Sequence, residues 1–176
     1  MQFDFNQSHF ALFGLPQRFD VSVSELDSQY RALQAEFHPD RFASADDATR
    51  RLSLQIATRV NEAYQTLKSP LARGRYLLGL NGVDTQEDTN TAMPMDFLMQ
   101  QMEWRETIAD AKASRNLDEL ERLNVELRHE IAALEEHLGL LLDEAQWQEA
   151  SVAVRKLRFL EKLDQEIGDA IEAVMF

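Results

Sequence analysis

Apolar residues recur along this chain at spacings of three and four, the signature of helices that each bury one face, and no alternating strand pattern competes. Ser22-Val23-Ser24-Glu25 reads as a capping box, in which the hydroxyl accepts from the Glu25 N–H and the carboxylate reaches back. Leu26, Tyr30, Leu33 and Phe37 follow on one face of a helix that must stop before Pro39. A second cap at Ser44-Ala45-Asp46-Asp47 opens a longer helix striped by Leu52, Ile56, Val60, Tyr64 and Leu67. These two stripes are expected to pack antiparallel. Pro70 starts a short helix ending near Leu78 with Gly79 just past it, and Phe10 to Phe13 form another before Gly14-Leu15-Pro16.

Punctuation then interrupts the pattern. Asn81-Gly82 is a turn dipeptide, and the polar stretch after it has no apolar period, which places a linker at 80–94 between domains at 1–79 and 95–176. Three longer stripes follow the linker. Phe97, Trp104, Ile108 and Ala111 make the first, with Gln101 in an otherwise apolar position. Leu120, Leu123, Leu127, Ile131, Leu134, Leu138 and Leu141 make the second, and Trp147, Ala150, Val154, Leu157, Leu160, Leu163, Ile167, Ile171 and Val174 the third. Turns are expected near Ser114–Asn116 and Leu142–Glu144, so the second half reads as a three-helix bundle and the whole chain as all-α.

Charge separates the same two halves. The 176 residues carry 18 Lys+Arg and 31 Asp+Glu, a net charge of −13, which argues against general binding to nucleic acid or an anionic membrane. Residues 1–80 hold nine bases and nine acids, so the whole excess lies in residues 81–176. With no Cys, disulfide scaffolds, thiol catalysis and Cys-based zinc or iron–sulfur sites are excluded. The start of the chain lacks the character of a secretory or transit signal and no run is apolar enough to span a bilayer, so a cytoplasmic protein is expected.

One motif carries chemistry. His38-Pro39-Asp40-Arg41-Phe42 lies where the first helical hairpin turns, and a composition with 4 His, 4 Pro and 14 Asp would produce a chance His-Pro-Asp roughly 0.007 times per chain. With Phe13-Gly14-Leu15 before it, and Asn61-Glu62-Ala63-Tyr64-Gln65-Thr66-Leu67 and Arg73-Gly74-Arg75-Tyr76-Leu77 after it, the segment from about 8 to 78 resembles the J-domain of co-chaperones. That resemblance implies that His38, Pro39, Asp40 and Arg41 dock on a partner chaperone and stimulate its ATP hydrolysis, the hydrolysis itself belonging to the partner. The residue types suit docking: Pro39 fixes the backbone, Asp40 offers a carboxylate to a partner Arg, and His38 supplies hydrogen bonds. J-domains usually carry Lys where this chain has Arg41, and their basic second helix is weak here, so Arg41, Arg50, Arg51 and Arg59 would supply the charge.

The second half narrows the family. Phe97-Leu98-Met99-Gln100-Gln101-Met102-Glu103 and Val154-Arg155-Lys156-Leu157-Arg158-Phe159-Leu160-Glu161-Lys162-Leu163 resemble segments of the HscB family, J-type co-chaperones of iron–sulfur cluster assembly. The resemblance implies that the bundle binds the scaffold protein IscU and presents it to the chaperone HscA. Leu98, Met99, Met102 and Phe159 would then form the client patch, with Glu103 and Glu106 at its rim. Leu98, Met99 and Met102 are indeed rotated away from the Phe97–Trp104 stripe, and Met suits an adaptable surface. The competing readings are burial of this face by the first domain, a J-protein with a different client, and a di-iron enzyme. The last needs two Glu-x-x-His motifs, and the chain offers only Glu126-x-x-His129. No cofactor is expected. Eukaryotic relatives can carry an N-terminal zinc-binding Cys motif, so its absence points to the bacterial form.

Overall fold

The computed structural model describes residues 1–90 and 92–176, and Thr91, inside the expected linker, lies outside the described residues. Seven α-helices and one 3-10 turn make up the regular structure, with no strand among the described residues: α1 (His9–Leu12), α2 (Val23–Phe37), the 3-10 turn Pro39–Phe42, α3 (Asp47–Lys68), α4 (Pro70–Leu80), α5 (Met95–Ala113), α6 (Leu117–Asp143) and α7 (Trp147–Met175). The chain divides into two compact units, Met1–Leu77 and Leu78–Phe176.

In the first unit, Ser22 Oγ accepts from the Glu25 N–H at 3.3 Å and starts α2 where the capping box placed it. The cap of α3 differs from the expected one. Asp46, not Ser44, accepts from the Thr49 N–H at 2.9 Å, because the 3-10 turn and its continuation through Ala45 occupy the preceding residues. Leu26 and Phe37 of α2 are buried beside Ile56, Val60, Ala63, Tyr64 and Leu67 of α3, and α2 packs on α3. The hairpin is antiparallel: Tyr30 stacks on Tyr64 with ring centroids 3.8 Å apart, and its hydroxyl donates to Asn61 Oδ1 at 2.7 Å.

α4 runs two residues beyond the expected end. Gly79 lies inside it, and Gly82, at φ 75°, takes the left-handed position: Gly82 N–H donates to Gly79 O and Val83 N–H to Leu78 O, a Schellman motif. The same two bonds close α1 at Gly14, α5 at Arg115 and α6 at Ala145, the last two with non-glycine residues at φ 52° and 56°. The turn after α6 accordingly lies at Glu144–Gln146, slightly later than the periodicity suggested.

In the second unit the three stripes converge. Phe97, Trp104, Ile108 and Ala111 of α5, Leu120, Leu123 and Leu127 of α6, and Leu160, Leu163, Ile167 and Ala170 of α7 form one core cluster. Gln101 is buried among them at 3 % exposure, and neither of its amide atoms reaches a hydrogen-bond partner among the described residues. The polar segment before α5 is held down on α7. Thr85 is buried, its carbonyl accepts from Arg155 at 3.0 Å, and Asp88 pairs with Arg158 at 2.8 Å.

Candidate functional site

The His-Pro-Asp turn forms because Pro39 ends α2 and cannot donate an N–H to its carbonyls, while its fixed φ suits the first position of the next turn. His38 then acts as the cap of that turn. Its Nδ1 accepts from the Asp40 N–H at 3.2 Å, so in the neutral ring Nε2 carries the proton and is the donor. The Asp40 side chain is 94 % exposed, and its carboxylate comes no nearer than 3.7 Å to His38 Nδ1. An imidazole donor and an exposed carboxylate thus stand on a turn whose backbone is braced from within.

The hairpin behind the turn is tied by a polar network. Tyr64 donates to Asp27 Oδ1 at 2.7 Å, and Lys68 Nζ donates to the Tyr64 hydroxyl at 2.6 Å, a bond that holds the Lys68 ammonium above its ordinary pKa, helped by the Asp27 charge. Of the bases expected to surround the loop, Arg50 pairs with Asp47 within α3. Arg41 turns back onto α2: one guanidinium nitrogen donates to the carbonyls of Ala35 and Glu36 at 3.2 and 3.3 Å.

On α5 the buried face is Phe97, Gln101, Trp104, Ile108 and Ala111, which leaves Leu98, Met99 and Met102 on a different face at 36, 56 and 70 % exposure. Glu103 and Glu106 continue that face and are exposed. Met95, 71 % exposed, belongs to it as well, and the helical spacing 95, 98, 99, 102 is the signal that could have found it. Phe159 is placed differently from the other patch residues. It is half-buried against the bundle core and meets Phe97 edge-on at 6.4 Å, while the Lys156 ammonium lies 5.5 Å from the Phe97 ring. It connects to α5 through Phe97 and rises only partly to the surface. Glu126 accepts from Arg122 at 2.9 Å and is engaged in that ion pair.

Comparison with known proteins follows the same lines. A family model described as the HSCB C-terminal oligomerisation domain matches residues 93–168. A co-chaperone protein HscB homolog of Chromobacterium violaceum is 58 % identical over 176 residues, covering 99 % of each chain. One of Paraburkholderia phymatum is 55 % identical over 95 % of each. Among solved structures, the chaperone HscB from Vibrio cholerae superposes with a TM-score of 0.87 at 36 % identity, covering 96 % of this chain and 99 % of that one. The human co-chaperone HscB gives 0.88 at 27 %, covering 94 % and 82 %. With its His-Pro-Asp hairpin and its α5–α7 bundle both accounted for over nearly full length, this chain belongs to the HscB family of co-chaperones.

Proposed function

We propose that this co-chaperone serves iron–sulfur cluster assembly by holding the scaffold protein IscU on its bundle and delivering it to an HscA-type chaperone, whose ATP hydrolysis it stimulates. His38, Pro39 and Asp40 dock on the chaperone, with Arg41 in the same loop. Leu98, Met99 and Met102 take the client, with Glu103 and Glu106 at the rim and Phe159 at the base. The observation that carries this reading is the exposed Asp40 carboxylate on a turn pinned by His38 and Pro39, a group the fold itself does not use. Such a carboxylate suits bidentate pairing with a partner guanidinium. The exposed Leu and Met side chains suit an apolar client surface, and the acidic rim sets encounter and specificity more than affinity. Because one molecule holds both partners, it raises their effective concentration, which supplies the coupling without further contacts. The protein is an adaptor of the cytoplasm, and the chemistry belongs to the chaperone.

The test uses two variants of the full chain with purified chaperone and scaffold. His38→Gln should keep the circular dichroism spectrum and IscU affinity while abolishing ATPase stimulation. Leu98→Ala with Met102→Ala should weaken IscU binding by about tenfold or more, these being exposed contacts of a small patch, and spare stimulation without client. Full stimulation by the first variant, or unchanged scaffold affinity in the second, would reject the corresponding surface.

A further inference from the structure

Six helix ends fall within the described chain before α7, and they are closed in two ways. α1, α4, α5 and α6 end in Schellman motifs, in which a left-handed residue turns the backbone so that its own amides satisfy the last carbonyls. α2 and α3 have no such option. Each ends in an extended residue followed by proline, His38-Pro39 and Ser69-Pro70, so the residue after the cap can neither enter the left-handed region nor donate an N–H. Their terminal carbonyls need another donor, and in both cases an arginine from the next element supplies it. Arg73 Nη1 donates to Leu67 O at 2.6 Å, and Arg41 Nη1 donates to Ala35 O and Glu36 O at 3.2 and 3.3 Å.

At α2 the arrangement bears on the docking loop. The last turn of α2 contains no basic residue, so the negative end of its dipole has no cation of its own. The Arg41 guanidinium provides one from three residues beyond the helix cap. Its backbone adds a second tie, the Arg41 N–H donating to His38 O at 3.0 Å. His38, Pro39 and Asp40 are therefore enclosed in a small ring of bonds whose outer closure is the Arg41 side chain. Without that closure the loop loses its fixed angle to α2, and the bond from the Asp40 N–H to His38 Nδ1 opens more often. Lys carries its donor nitrogen one bond nearer the backbone than Arg41 Nη1, so it can restore part of the cap; Ala restores none.

We propose that Arg41 is a positioning residue: its guanidinium caps the C-terminus of α2 and so holds the His-Pro-Asp turn in docking geometry, instead of meeting the chaperone as a charge. This rests on the reading of that turn as the chaperone-docking loop, and the experiment separates the two. Arg41→Ala and Arg41→Lys are made in the full chain. In the free protein, Arg41→Ala should shift the carbonyl resonances of Ala35 and Glu36 and speed hydrogen exchange of the Asp40 amide about tenfold, the scale of losing a charge-assisted bond, with Arg41→Lys in between. With the chaperone, Arg41→Ala should lower stimulation about tenfold while the salt dependence of the half-maximal concentration keeps its wild-type slope, because no partner charge has been lost. Unchanged free-state resonances and exchange, or a flattened salt slope, would overturn the proposal. Failure of the wild-type protein to stimulate any chaperone would instead sink the docking assignment and leave the free-state measurements to decide the cap.

Discussion

At the scale of single residues, polar groups in this protein divide by whether the fold uses them. Asp27, Tyr64, Lys68 and Arg73 are engaged in the hairpin and its ends, whereas the Asp40 carboxylate is 94 % exposed and stands 3.7 Å from His38 Nδ1, and the docking role proposed for Asp40 draws on that difference. Gln101 is the opposite anomaly. It is buried within the core-facing side of α5 with both amide atoms unpartnered among the described residues, at a cost of about 1–3 kcal/mol for a desolvated, unpaired polar group. Gln101→Met, similar in length and without the amide, should therefore stabilise the bundle by about 1–2 kcal/mol. Urea unfolding followed by the fluorescence of Trp104, one turn away, measures it; a destabilised variant would mean that the amide is satisfied in solution. The anomalous position of Gln101 was legible from spacing alone, since it interrupts the Phe97–Trp104 stripe. Arg41 was legible only as a charge. Its bonds depend on the 3-10 turn folding the chain back over Ala35, which no residue spacing reveals.

At the scale of elements, the stripes predicted α2, α3, α5, α6 and α7 and the faces they bury, because helical periodicity is a property of neighbours three and four apart. Helix ends were less legible. Gly79 looked like a terminator, yet Gly82 fills that role, since a glycine inside a packed helix costs only about 1 kcal/mol and tertiary burial of Leu77 and Leu78 outweighs it. The ends at Arg115 and Ala145 carried no glycine signal at all, and both pay for a left-handed backbone. Arg115 recovers part of that cost through a bond to Val174 O at 2.7 Å, while Ala145 has an exposed methyl and no such contact among the described residues. Ala145→Gly should thus stabilise the second unit by about 0.5–1 kcal/mol, the relief of the left-handed penalty less the added freedom of the unfolded chain. A midpoint of denaturation equal to or below that of the wild type would show the turn to be unstrained.

At the scale of the molecule, the charge partition and the two compact units nearly coincide, so each unit answers differently to its solvent. Residues 81–176 carry the entire −13. Raising ionic strength from about 0.01 to about 0.15 M shortens the Debye length from about 30 to about 8 Å, which screens repulsion among the bundle carboxylates more than it weakens local ion pairs such as Arg122 with Glu119 and Glu126. Both Trp lie in the second unit and all three Tyr in the first, so the chain carries separate optical reporters. The Trp-detected melting temperature should rise with salt while the Tyr-detected one moves less; equal shifts would show that the charge asymmetry has no bearing on stability.

The sequence by itself determined the helical class, the buried faces, the location of the His-Pro-Asp turn and the separation of charge, all of which rest on composition or on residues within two turns of each other. Tertiary structure alone decided that Phe159 is half-buried against Phe97, that Arg155 and Arg158 hold Thr85 and Asp88 from 70 residues away, and that Arg41 turns back to the α2 carbonyls. The physical reason is range: periodicity tells a side chain which face it occupies, but which distant donor satisfies a carbonyl is settled only when packed elements bring them within hydrogen-bonding distance.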